Sequence, residues 1–273
     1  MTTKDSYKQM WERIGENKSE VYFDYKFVPT HRVGLTNYLR ENLIYIFLDP
    51  HKDDVVFDVG CASGRQLFKI ADKIKAGYGI DIAQSFIDKA NREKEKKGVN
   101  NLYFQQATIE TLSFPDEMFD KVICAEVLEH VDDANLALGE ILRVLKKDGV
   151  LILTVPNLNA DATLWGRLMR LIGVRKFKPI SEFSIEELQK HGDTHVREFD
   201  HKTITTWLFK NGIEVIDIKS VSFIDGPAPY FDFLLKCLLH ITPVRWFIIK
   251  IENLLTNLNL FFGRHLIVKG IKK

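Results

Sequence analysis

Cysteine is scarce in this chain. Cys61, Cys124 and Cys237 are three in number and share no ligand spacing, which excludes a disulfide framework and a cysteine-based zinc site. Charge of one sign is not in excess either: 38 Lys+Arg stand against 37 Asp+Glu, a net +1. A dedicated nucleic-acid binder needs a basic surplus, so none is expected as a partner, although a local basic patch stays open. No run of about 18 apolar residues occurs, so no helix is expected to span a bilayer. Met1–Glu20 is polar and charged, without the apolar core of a secretion signal. With so few cysteines, this leads to the expectation of a cytoplasmic protein. Internal repeats and low-complexity tracts are absent as well.

The composition itself is ordinary for a folded protein, with 45% hydrophobic and 27% charged residues over 273 positions. Residues 1–50 read as a helical lead-in, with Tyr7–Ile14 and Val33–Phe47 near helical spacing. From Val55 strand and helix alternate: strands at Val55–Val59, Ala76–Ile80, Leu102–Gln105, Lys121–Ala125 and Val150–Val155; helices at Gln66–Ile74, Gln84–Lys97 and Asn135–Leu145. Short apolar strands separated by amphipathic helices imply a parallel sheet with helices on both faces. A helix at His201–Lys210, a strand at Ile213–Val221, apolar helical text from Tyr230 and a last strand at Arg264–Lys269 complete the pattern. The expectation is about seven strands in one α/β domain over 51–273, with insertions at about 156–200 and 226–262.

Two features in that frame carry chemistry. Asp58-Val59-Gly60-Cys61-Ala62-Ser63-Gly64 ends the first strand and opens a helix, and glycines there allow a sharp turn and close ligand approach. Asp81 ends the second strand, 23 positions after Asp58, where an acid accepts hydrogen bonds from both ribose hydroxyls of a nucleoside. A dinucleotide fingerprint requires G-x-G-x-x-G. The corresponding positions are Gly60, Ala62 and Arg65, and the arginine breaks the pattern. A nicotinamide oxidoreductase is therefore disfavoured, and a nucleoside cofactor without pyrophosphate fits better.

Residues 55–65, Val-Val-Phe-Asp-Val-Gly-Cys-Ala-Ser-Gly-Arg, resemble motif I of the class I S-adenosylmethionine-dependent methyltransferases. Gly79-Ile80-Asp81-Ile82 is similar to the next motif of that family. Leu112–Ile123, Glu126-Val127-Leu128-Glu129-His130-Val131 and Arg143–Leu151 resemble the stretches around its fourth and fifth strands. Within the type 11 and 12 methyltransferases, the chain most resembles the ubiquinone-biosynthesis O-methyltransferases. The resemblance implies a Rossmann-like seven-stranded sheet, mostly parallel with an antiparallel last strand, and S-adenosyl-L-methionine as cofactor. It implies Asp58, Gly60, Cys61, Gly64, Asp81, Ile82, Thr108, Ile109 and Ala125 as cofactor-binding positions. The acceptor it implies is a small or lipid-linked molecule, methylated on oxygen. A catalytically silent cofactor-binding scaffold is the alternative from another class.

An oxygen nucleophile must lose a proton, which calls for a base near neutrality. His130 follows the fourth strand on the expected substrate rim. His195 lies in His191-Gly192-Asp193-Thr194-His195-Val196-Arg197 and offers a second candidate. Glu126, Glu129 and His130 could instead gather a metal ion, but no metal is expected. Arg167, Arg170, Arg175, Lys176 and Lys178 among apolar residues suit an anionic substrate, a membrane surface or a solvated helix face.

From Tyr230 to Ile241 nine of twelve residues are apolar, and from Val244 to Leu255 eight of twelve. Thr242-Pro243 separates them into two helices, each too short to cross ~30 Å of hydrocarbon. So much apolar surface needs cover. The options are the membrane interface at its inner face, through 230–255, a second subunit in a homodimer, or a lid over the acceptor.

Overall fold

The computed structural model describes residues 8–16, 32–158, 199–223, 229–261 and 263–273. Residues 8–16 form helix α1. The further elements are α2 (Arg32–Leu48), β1 (Val55–Val59), α3 (Arg65–Ile70), β2 (Ala76–Asp81), α4 (Gln84–Lys97), β3 (Leu102–Gln106), β4 (Phe119–Ala125), α5 (Ala134–Val144), β5 (Leu145–Pro156), α6 (His201–Lys210), β6 (Ile213–Val221), α7 (Pro229–His240), α8 (Thr242–Asn257) and β7 (His265–Lys272).

The seven strands form one sheet in the order β3-β2-β1-β4-β5-β7-β6. All pairings from β3 to β5 are parallel, and β7 runs antiparallel to both β5 and β6. This is the expected Rossmann-like α/β sheet. The order reverses between β1 and β4, and such a switch point leaves a crevice at the carboxyl ends of the strands.

Alternation along each strand feeds two cores. Phe57, Val59, Val122, Cys124, Leu151, Leu153, Leu266 and Val268 pack with α5 and α6. The neighbours of opposite parity, Val56, Ile123, Ile152 and Ile267, pack with α2, α3, α4, α7 and α8. Successive side chains of a strand point to opposite faces, so a strand buried on both faces is largely apolar, with Asp58, Lys121 and Thr154 as buried exceptions. Asp133 caps α5 by accepting from the Asn135 and Leu136 N–H groups, and Asp200 with Thr203 closes a capping box on α6. Arg143 clamps the 112–116 loop through the Leu112 and Phe114 carbonyls and the Asp116 carboxylate.

Several boundaries differ from the sequence pattern. β5 starts at Leu145 rather than Val150, because Leu145 pairs with Phe119 before the register shifts. β7 continues to Lys272, because its outer neighbour β6 pairs as far as Ile213. Pro243 lies in the first turn of α8, where its missing N–H costs nothing. Helices α7 and α8 are not wholly surplus to the core: Leu235, Leu239, Ile248 and Ile249 join the α2 side of it. Glu252 is buried there and accepts the Phe223 N–H at 3.0 Å. The opposite side of the pair exposes Ile241, Trp246, Phe247, Leu254 and Leu258. None of the described helices is long and apolar enough to cross a membrane.

Candidate functional site

A cavity of about 710 Å³ opens at the carboxyl ends of β1, β2 and β4, where the strand order reverses. Its floor is the loop after β1. Gly60 holds φ 68° and Gly64 φ 79°, conformations that cost an L side chain energy. Space forbids a side chain at both as well. A Cβ on Gly60 would stand 2.4 Å from Val127 Cγ2, and one on Gly64 2.6 Å from the Phe104 ring. Ala62, also at positive φ, presents its N–H to Asp81 Oδ2 at 2.9 Å, while Asp81 Oδ1 accepts the Ala83 N–H at 2.9 Å. The acid at the end of β2 thus ties the β1 loop to the start of α4. Burial pushes the Asp81 carboxyl up to about 6, against the pull of those backbone hydrogen bonds.

Among the residues expected to bind cofactor, Gly60, Cys61, Asp81, Ile82, Thr108, Ile109 and Ala125 line the cavity. Asp58 and Gly64 are not part of its wall. Asp58 lies behind the loop, 1% exposed, with Oδ2 lacking a hydrogen-bond partner. Burial, then the nearby Asp81, pushes its carboxyl well up. Gly64 serves the loop through its packing on Phe104. Burial and the neighbouring Asp58 and Asp81 push the Cys61 thiol up, which makes it a poor nucleophile. Thr108 Oγ1 lies 3.2 Å from Thr111 Oγ1. Arg65, the residue that breaks the dinucleotide pattern, pairs with Glu41 of α2 and locks that helix against the loop.

The far wall is built from the segment after β4. His130 lines the cavity, with Nε2 3.9 Å from Glu129 Oε1 and its ring edge-on to Trp11 at 5.4 Å. Glu129 is fully buried with both carboxylate oxygens lacking a hydrogen-bond partner, and burial, then Glu126, pushes it well up. Among the described residues no three His, Cys, Asp or Glu side chains form a group that could hold a metal ion. His195, the surrounding 191–197 cluster and the basic run from Arg167 to Lys178 lie outside the described residues.

The structure also brings in residues that the sequence pattern did not single out. Arg40 from α2, Thr154 from β5 and His265 from β7 all converge on Glu126. Trp11 of α1 reaches the cavity too, because Glu12 accepts the Gln84 and Ser85 N–H groups at 2.8 and 3.0 Å and so docks α1 on the start of α4. No local signal marks these positions; strand order and a helix outside the alternating region bring them together.

Fold and site define an α/β protein with a cavity at the switch point of its sheet and a carboxylate, Asp81, at the end of β2. A family model described as "Methyltransferase domain" matches residues 50–202, more than half of the chain, and the chain belongs to that family. It is 31% identical over 134 residues to the uncharacterized methyltransferase YcgJ of Bacillus subtilis, a match covering 49% of this chain and 53% of YcgJ. It is 29% identical over 208 residues to a ubiquinone biosynthesis O-methyltransferase of Bartonella tribocorum, covering 72% and 78%. The YcgJ crystal structure aligns with a TM-score of 0.56 at 21% identity, over 87% of this chain and 99% of YcgJ. A geranyl diphosphate C-methyltransferase from Streptomyces coelicolor aligns at 0.57 and 15%, over 86% and 77%. These likenesses show the fold.

The protein is an S-adenosylmethionine-dependent methyltransferase of class I. The residues present fit that cofactor: Asp81 offers a carboxylate to a ribose, and the Gly60–Ala62 backbone is bare enough for close approach. When bound, S-adenosylmethionine supplies an activated methyl group on sulfur. The chain's own contribution is to hold and orient the reactants and to handle the acceptor's proton.

Proposed function

We propose that this methyltransferase transfers the methyl group to a hydroxyl oxygen of a small or lipid-linked acceptor. The observation that carries the reading is the continuity of the cavity from Asp81 to the histidines beyond β4 and at the start of β7. One end suits a nucleoside, and the other offers imidazole bases to an acceptor. Trp11, Val33, Phe86 and Val127 give that space apolar walls, in keeping with an aromatic or prenylated molecule. The Bartonella tribocorum relative is named for O-methylation in ubiquinone biosynthesis, which supports oxygen and a lipid-linked acceptor over nitrogen or carbon. His130 is the base expected from the sequence, with His195 as the second candidate.

The reading extends to a membrane-surface location at the cytoplasmic face. Ile241, Trp246, Phe247, Leu254 and Leu258 are exposed on or beside α8, with Lys236 and Lys250 among them, a composition suited to an anionic lipid interface. The test is incubation of the full chain with methyl-labelled S-adenosylmethionine and fractionated small-molecule and lipid extracts. Label is expected in a molecule carrying a new methoxy group. Label on nitrogen or carbon contradicts the oxygen reading.

A further inference from the structure

The carboxylate of Glu126 is held from three sides. Glu126 follows β4 directly and takes a positive φ of 56°, a conformation that costs a non-glycine residue energy. Its Oε1 accepts the Thr154 hydroxyl at 2.7 Å. Its Oε2 lies 2.9 Å from His265 Nδ1 and 3.3 Å from Arg40 Nη1. Burial works against the ionised carboxylate. Even so the nearby His265 and Arg40, with the Thr154 hydroxyl donating to it, hold Glu126 well below the usual carboxylate range. It therefore stays an acceptor through the neutral pH range.

The sheet explains why His265 is there. It is the first residue of β7, in register with Pro156 of β5 and Val221 of β6, two positions beyond the Thr154–Ile267 pair. A reversed strand inserted between β5 and β6 thus begins at the cofactor edge and delivers its first side chain there. Glu126 and His265 both line the cavity, and the imidazole is 15% exposed. Nδ1 lies close to the Glu126 carboxylate though not aligned as a hydrogen bond; the negative charge beside it favours a proton on Nδ1 and leaves the lone pair on Nε2. A base oriented by a third group is the arrangement that activates a hydroxyl nucleophile. His130 lies 3.9 Å from Glu129 across the cavity wall, and Glu129 is pushed well up by burial and Glu126.

We infer that His265, oriented by Glu126, is the general base of the reaction. This rests on the reading of methyl transfer to oxygen. The acceptor's O–H gives its proton to His265 Nε2 as the new O–CH₃ bond forms. The S–CH₃ bond breaks, its electron pair stays on sulfur, and the neutral thioether leaves. The positive charge lost from sulfur appears on the imidazolium, beside Glu126. A neutral imidazole takes a proton most readily from an acidic hydroxyl. The hydroxyl class expected is therefore an acidic one, phenolic or enolic. Arg40, Arg264, Glu129 and His130 are the other ionisable groups around this end of the cavity.

The test uses the full chain with S-adenosylhomocysteine and 4-nitrocatechol, a phenol whose neutral and ionised forms differ in visible absorbance. Calorimetry first measures S-adenosylhomocysteine binding for wild type, His265→Gln, His265→Asn and Glu126→Gln, with thermal unfolding to show that each folds. The wild-type complex is expected to ionise the probe at least about one pH unit below its free transition. Both His265 variants are expected to lose that displacement while keeping S-adenosylhomocysteine affinity within about threefold, and, in separate reactions supplied with S-adenosylmethionine, methyl transfer to the probe to fall by about 10²–10⁴. Glu126→Gln is expected to reduce the displacement. A wild-type complex that leaves the probe spectrum unchanged, or folded His265 variants that ionise it as wild type does, overturns the assignment of the base. A wild type that binds no S-adenosylhomocysteine contradicts the cofactor reading, and this inference with it.

Discussion

Asp81 Oδ2 accepts the Ala62 N–H at 2.9 Å, so the residue expected to hold the ribose also holds the loop beneath the cofactor. Its carboxyl is pushed up to about 6 by burial. In the cofactor-free protein the unfolded chain therefore ionises Asp81 first, from pH ~4, and stability falls as pH rises from there to about 6. Ribose hydroxyls favour the ionised form. S-adenosylhomocysteine affinity is expected to rise from pH 5 to pH 7, with proton release at the lower pH seen as buffer-dependent heat in calorimetry. Asp81→Asn should remove the pH dependence. A flat wild-type profile contradicts the assignment.

Gly64 has both a positive φ and a neighbouring aromatic ring where a side chain would go. Gly64→Ala is expected to cost about 2–4 kcal/mol, from the left-handed backbone and overpacking against Phe104 together. Thermal or denaturant unfolding measures it. A loss below about 1 kcal/mol would mean that the loop relaxes freely.

Glu12 docks α1 on the start of α4 and thereby sets Trp11 against His130. Glu12→Ala removes two hydrogen bonds to a charged acceptor, of about 1.5–3 kcal/mol each. The variant's tryptophan fluorescence is expected to become more accessible to acrylamide, and S-adenosylhomocysteine to dissociate faster. Unchanged quenching and dissociation would show that α1 stays in place without the carboxylate.

Phe247 is exposed and Ile248 is buried, so a membrane test must alter the outer side of α8 alone. Wild type is expected to sediment with anionic vesicles, less so at high salt, and Trp246→Glu with Phe247→Glu to release it. Wild type that stays in the supernatant at low salt and runs as a dimer would assign this side to a subunit interface.

Much of the sheet was legible because strands buried on both faces are largely apolar: Val55–Val59 and Lys121–Ala125 could be read directly, despite Asp58 and Lys121. Cavity residues close in sequence to strand ends, such as Gly60, Asp81 and Ile109, were legible for the same reason. His265 and Arg40 were not, since their roles arise from contacts over long sequence distances, between β7 or α2 and the residue after β4. The helix pair after β6 was legible as helices. Which side of it would be buried was not, because apolar residues occupy both sides and only packing against α2 separates Ile248 from Phe247.

The measurement that bears most directly on the account is calorimetric titration of the full chain with S-adenosylhomocysteine, S-adenosylmethionine and NAD, repeated on Asp81→Ala. The account predicts saturable binding of the first two, none of NAD, and affinity at least tenfold weaker in the variant, the loss of charge-assisted hydrogen bonds of about 1.5–3 kcal/mol each. Binding of NAD in preference to the adenosyl ligands, or undiminished S-adenosylhomocysteine affinity in a folded Asp81→Ala protein, would contradict it.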